Sequence, residues 1–227
     1  MKYHKIGIAI LFCSIFSLVC CVGQTKNNHQ IVGGPCQGCE AIFEYGTKKL
    51  TTVDTLPEFA LLSTELADAN LPNRQARAKT ALKLTGRVFK KDGKTPAENV
   101  ILYIYHTNKK GLYISKNNAK SWGKRHGYLR GWIQTDKTGT YIFYTFRPGA
   151  YPNRSEPEHI HLTVKEPTKN EYYMDSFVFD DDPLLTVEKR ESLENRGGSG
   201  IVKPILEHEI MTVKRDIILG LNIPNYE

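Results

Sequence analysis

The chemistry of this chain is concentrated between Arg147 and His161, in the stretch Arg-Pro-Gly-Ala-Tyr-Pro-Asn-Arg-Ser-Glu-Pro-Glu-His-Ile-His. His159 and His161 lead into Leu162-Thr163-Val164, whose β-branched, alternating character predicts a strand. On a strand, side chains two apart point the same way. His159, His161 and Thr163 therefore share one face, and Ile160, Leu162 and Val164 share the other. The apolar face can enter a core, while the opposite face presents two imidazoles side by side, as a metal site needs. A His-x-His pair alone is weak evidence, because such pairs are more often structural. Two tyrosines strengthen it: Tyr151 in the rigid turn Pro148-Gly-Ala-Tyr-Pro152, and Tyr113, which follows Gly111 in a similar context.

Positioning these residues requires a frame of strands. Leu82 to Phe89 alternates, Lys91-Asp-Gly-Lys94 signals a hairpin turn, and Val100 to Tyr105 is apolar on both faces, as a central strand would be. Asp136-Lys-Thr-Gly139 is a second turn before a strand at Thr140 to Phe146. His159 to Lys165 and Tyr173 to Phe179 continue the series. Short strands divided by turns predict an all-β sandwich or barrel. The loop from Lys116 to Leu129 stands between Tyr113 and Arg130 and is placed to cover a site. Upstream, Ala41 to Tyr45 reads as a short strand, and Phe59 to Ala67 has helical spacing at Leu61, Leu62 and Leu66 between Pro57 and Pro72. Downstream, Leu184 to Gly200 reads as loop, with a last strand or short helix around Val213 to Leu221.

The chain has 227 residues, enough for one domain with an appended segment, and 40% hydrophobic content can fill a core. Residues 1–21 read as a signal segment: Lys2 and Lys5 precede an apolar run from Ile6 to Val19 that is short for a membrane span. Ser17-Leu18-Val19-Cys20-Cys21 is similar to a bacterial lipoprotein cleavage box, with Cys20 where a small residue is usual. Cys21 would then carry the lipid that anchors the protein to a membrane, giving an exported, periplasmic or cell-envelope location. Simple secretion is the alternative. Losing Lys2 and Lys5 lowers the net charge from +7 to about +5. No basic run is interleaved with aromatics, which argues against a nucleic-acid partner. Residues 22–80 form a tether and N-terminal segment, and 81–227 the main domain. In an exported chain, Cys36 and Cys39 predict a small disulfide, since one C-x-x-C lacks the second half of a zinc site. Ile31-Val-Gly-Gly34 is similar to the mature start of trypsin-like proteases, but no Gly-Asp-Ser-Gly follows.

Tyr103-Ile-Tyr-His-Thr-Asn-Lys-Lys-Gly-Leu-Tyr113, Arg130-Gly131, Thr135-Asp136 with Gly139, Arg147-Pro-Gly-Ala-Tyr151-Pro, His159-Ile-His161 and Asp180-Asp-Asp-Pro183 together resemble the intradiol ring-cleavage dioxygenases. That family includes the catechol and protocatechuate 3,4-cleaving enzymes. The resemblance runs from about Leu84 to Pro183 and rests on four ligand positions in order. It implies a β-sandwich core and a ferric ion held by Tyr113, Tyr151, His159 and His161. Two phenolates and two imidazoles are a hard donor set that suits Fe(III) and suits structural zinc poorly. It further implies that a catechol-type diol and O2 are the substrates and that the product is a muconate-type dicarboxylic acid. Tyr151 would leave the metal on substrate binding and take a proton as a base.

Two positions depart from the family. Glu156 stands three residues before His159, where the family carries an arginine that holds substrate charge, and Ser176 stands where it carries glutamine. Glu156 either faces the pocket and acts on the diol or faces solvent, with a cation such as Arg130 or Arg154 in its place. Two other functions compete. Gly86-Arg-Val, Asp92-Gly93, Pro96 and Val100 also suit transthyretin-like or regulatory modules that only bind. His159 and His161 with Glu156 or Glu158 would suit an Fe(II) site of two histidines and a carboxylate.

Overall fold

The structure is a computed structural model that describes residues 31–67, 70, 72, 73, 77 and 79–227. The signal segment and Cys21 lie outside the described residues. Among the described residues, eleven strands form two sheets. The first has the order β1 (Val53–Thr55), β5 (Thr140–Phe146), β2 (Ala81–Phe89), β10 (Ile210–Lys214), β9 (Ile205–Glu207), with β11 (Ile217–Ile218) also on β2. The second has the order β4 (Arg130–Gln134), β3 (Ile101–Tyr105), β6 (His159–Lys165), β7 (Glu171–Phe179), β8 (Ile201–Val202).

The sheets face each other across one core. Leu82, Leu84, Val88, Tyr141 and Phe143 of the first pack against Leu102, Ile104, Ile160, Leu162 and Val164 of the second. The alternation read in β6 is therefore real: its three aliphatic residues are sealed inside, and His159 and His161 stand on the outer face. β3 lies between β4 and β6 and is covered on both faces, with Leu102 and Ile104 inward and Tyr103 outward beneath the N-terminal segment.

The cover over Tyr103 and Trp132 comes from Ala41 and Ile42. The strand expected at Ala41–Tyr45 is instead a 3-10 helix, Cys39–Phe43. Gly38 turns the chain with φ 95°, and Cys36 is bonded to Cys39. Adjacent Ala41 and Ile42 are both fully buried, which the two-fold alternation of a half-exposed strand does not allow. The short helix expected near Leu62 is present as Phe59–Ala67. The stretch read as loop from Leu184 to Gly200 contains the helix Val187–Glu191, and β8 follows it.

Candidate metal centre

Two strand-end segments deliver the tyrosines and one strand delivers the histidines. After β3 the chain runs through Thr107 to Tyr113, and after β5 it runs through Arg147 to Tyr151. These segments are laced together: Gly149 N–H donates to Asn108 O at 3.0 Å, and the Thr107 hydroxyl donates to Gly149 O at 2.7 Å. Both contacts demand glycine. Gly111 has φ 74°, and a Cβ there would sit 1.9 Å from Ala150 O. A Cβ on Gly149 would sit 2.4 Å from Lys109 O. The backbones that carry Tyr113 and Tyr151 thus lie as close as backbones can.

The four side chains form a closed ring of contacts. Tyr113 Oη is 3.0 Å from Tyr151 Oη, and Tyr151 Oη is 3.2 Å from His159 Nε2. His159 Nε2 is 3.2 Å from His161 Nε2, which is 2.9 Å from Tyr113 Oη. His159 Nδ1 lies 2.7 Å from Pro157 O, which can only accept. Nδ1 therefore carries the proton, and the Nε2 lone pair points into the ring. His161 Nδ1 has Ser176 Oγ at 3.5 Å on the side away from the ring. With His161 also protonated at Nδ1, as ligation through Nε2 requires, four close contacts would share only two protons, those of the phenols. Such a convergence of lone pairs is what a cation at the centre would satisfy.

Burial disfavours charge on Tyr113, His159 and His161. It pushes the Tyr113 phenol far above the usual range, helped by the Tyr151 hydroxyl beside it. It also holds His159 below the ordinary imidazole value and His161 well below. A trivalent ion would have to expel the phenol protons, as the charge of a bound metal does. Behind the site, the Tyr105 ring lies between His161 (centroids 4.4 Å) and His126 (3.8 Å), nearly parallel to both.

Carboxylates stay outside the ring. Glu158 is held by Arg147 Nε at 2.5 Å, and Arg147 also reaches Asp181 at 2.9 Å. This removes Glu158 from a two-histidine-plus-carboxylate arrangement. Glu156 is exposed yet lies on the rim of a cavity of about 450 Å³ that also borders Tyr151, His159 and His161. Ser176 lies on the same wall. Arg130, one candidate to replace the missing cation, is turned to Glu44 at 2.6 Å. Arg154 is exposed and not among the residues lining the cavity. The cation that does border it is Lys189, which was not anticipated because its segment read as loop. The Lys116–Leu129 loop does not cover this cavity. Its helix Ser121–Arg125 and His126 instead back the ring stack behind His161.

Residues 55–200 match a protein-family model described as Dioxygenase. The protocatechuate 3,4-dioxygenase beta chain of Burkholderia cepacia is 32% identical over 111 residues, covering 46% of this chain and 47% of that one. The chain thus spans about half the length of this curated relative. Among solved structures, wild-type catechol 1,2 dioxygenase of Acinetobacter radioresistens is similar with a TM-score of 0.52 at 16% identity, over 77% of this chain and 58% of that one. A mutant of the same enzyme gives 0.53 with the same identity and coverage. At that identity the likeness bears on the fold alone.

Proposed function

This chain belongs to the intradiol ring-cleavage dioxygenases, and from that premise we propose that it inserts O2 into the ring of a catechol-type aromatic diol to give a muconate-type dicarboxylic acid. The observation that carries the reading is the closed ring of Tyr113, Tyr151, His159 and His161, with donor atoms 2.9 to 3.2 Å apart at the edge of a cavity. A binding-only sandwich has no need of it.

These four residues would hold a ferric ion, which when bound would supply a Lewis acid that lets the diol shed its protons and so become electron-rich enough to react with O2. The residues have separable tasks. The Tyr105 ring at its face orients His161, and the Pro157 carbonyl fixes His159 as the tautomer with a free Nε2 lone pair. Tyr113 is locked through the Gly111–Ala150 contact. Tyr151 borders the cavity, where Tyr113 does not, so its Oη is the phenol oxygen placed to accept a proton from an incoming diol. Glu156, at the rim, is the other candidate to exchange a proton or a hydrogen bond with the substrate. Val178 and Leu185 wall off part of the cavity from water.

The test is metal content, visible spectrum and product. Purified protein should contain close to one iron, absorb visible light through ferric phenolate, and convert catechol to the ring-opened diacid with uptake of O2. Iron binding should release protons and strengthen with rising pH, because burial holds the Tyr113 phenol protonated. Colourless iron protein would sink the two-tyrosine site, and coloured protein without ring cleavage would sink the activity. The proposal includes export with a lipid on Cys21. Incorporation of labelled fatty acid that Cys21→Ser abolishes would support it, and incorporation that survives the substitution would refute it.

A further inference from the structure

The cavity beside the four donors is larger than one diol ring needs. Its roughly 450 Å³ opens to solvent and extends beyond the four donors to Leu185 and Leu193. Part of its wall is hydrocarbon that stands apart from the main core clusters. Val178 pairs across from His159 in the β6–β7 ladder, and Leu185 follows the turn at Asp182; each is only 5% exposed. Among the described residues, neither belongs to any of the three apolar clusters that hold the fold together. Leu193 continues this wall from beyond the helix Val187–Glu191. The half-buried Leu193, with the edges of Val178 and Leu185 behind it, gives the cavity an apolar wall that an apolar guest could cover.

The charges point the same way. Two acids, Glu156 and Asp175, and one ammonium, Lys189, border the cavity. Lys189 Nζ already donates to Ser155 O at 2.5 Å. A carboxylate on the substrate would meet the Glu156 carboxylate at the rim, while Lys189 is already engaged and the Asp175 carboxylate is held by Asn195 N–H. Resting on the ring-cleaving function above, we propose that the substrate is a catechol-type diol with an uncharged, apolar substituent several carbons long. The diol faces the four donors, and the substituent lies along Val178, Leu185 and Leu193.

The experiment compares catechol, 4-butylcatechol and protocatechuate on the iron-loaded protein. Steady-state kcat/KM would be taken from O2 uptake, and binding to the anaerobic protein from calorimetry. Each buried methylene is worth up to about fourfold, so 4-butylcatechol should exceed catechol by at least about tenfold in both measurements. Protocatechuate should fall below catechol. Leu193→Trp, which fills the wall, should bring the butyl-to-catechol ratio down towards one. Leu193→Asn keeps the space but removes the apolar surface, and it should lower the ratio even if the bulkier variant fails to fold. A wild-type ratio near one overturns the inference, as does a ratio that survives Leu193→Asn. Protein that cleaves no diol but binds 4-butylcatechol at least about tenfold more tightly than catechol, with Leu193 dependence, would overturn the ring-cleaving reading and support the pocket.

Discussion

Acid should weaken this protein through His106, a residue outside the chemistry. His106 follows Tyr105 at the end of β3 and is 1% exposed. Its Nδ1–H donates to Thr107 O at 2.7 Å, so Nε2 accepts from the Thr145 hydroxyl at 2.7 Å. Burial brings the pKa down from 6.5 to about 4. With the folded value below the unfolded one, the unfolded chain takes up the proton first as pH falls. The neutral ring's stability is fully present above the unfolded value and is lost as pH drops from 6.5 to about 4. At about 1.4 kcal/mol per pH unit, this one group removes about 2–3 kcal/mol by about pH 4.5. His106→Gln abolishes the titration. It should cost about 1–3 kcal/mol at neutral pH through the lost hydrogen bonds. The variant should then lose less on acidification, so that the two proteins converge. Urea unfolding of the iron-free proteins at neutral and acid pH, with m-values compared, measures this directly. The other depressed imidazoles are common to both proteins and cancel in the difference. An equal loss of unfolding free energy in both would refute the reasoning.

Three more outcomes are expected. Gly111→Ala should abolish the visible band, because the new Cβ meets Ala150 O at 1.9 Å in a backbone with φ 74°; a retained band would show that the two tyrosine segments are not locked. His161→Ala should lower iron content and colour together, by at least about tenfold in iron affinity, as measured by competition with a chelator. Glu156→Arg should raise the kcat/KM ratio of protocatechuate to catechol by up to about tenfold, since it replaces a rim carboxylate with a cation; an unchanged ratio would mean that Glu156 does not meet the substrate.

Much of the frame was legible because β-sheets write their burial in steps of two. Ile160, Leu162 and Val164 against His159 and His161 defined β6 and its orientation, and the doubly apolar Val100–Tyr105 marked the middle of a sheet. The tyrosines were legible only through the glycines and prolines around them. What escaped depends on contacts distant in sequence. β10 joins β2 in parallel, pairing Met211 with Leu82, and no local pattern announces such a partner. The 3-10 helix at Cys39–Phe43 follows from a positive φ at Gly38 and from a cover made over Tyr103 and Trp132. Lys189 reaches the cavity because its helix packs beside the Tyr151–Pro157 loop, where Nζ finds Ser155 O. His106 and His126 carried no spacing signal, because each is used singly inside a packed environment.

The ring stack behind His161 has an optical consequence. The chain has two tryptophans, and both belong to this aromatic cluster. Trp122 lies 5.0 Å from His126, which stacks on Tyr105, which stacks on His161; Trp132 lies 4.9 Å from Tyr103. A ferric phenolate at the four donors would accept excitation energy from indoles this near. The emission of the whole protein would then be dim when the site is filled and bright when it is stripped, with no distant tryptophan to supply a background. Intrinsic fluorescence would count loaded sites in a sample too dilute for its colour to be seen.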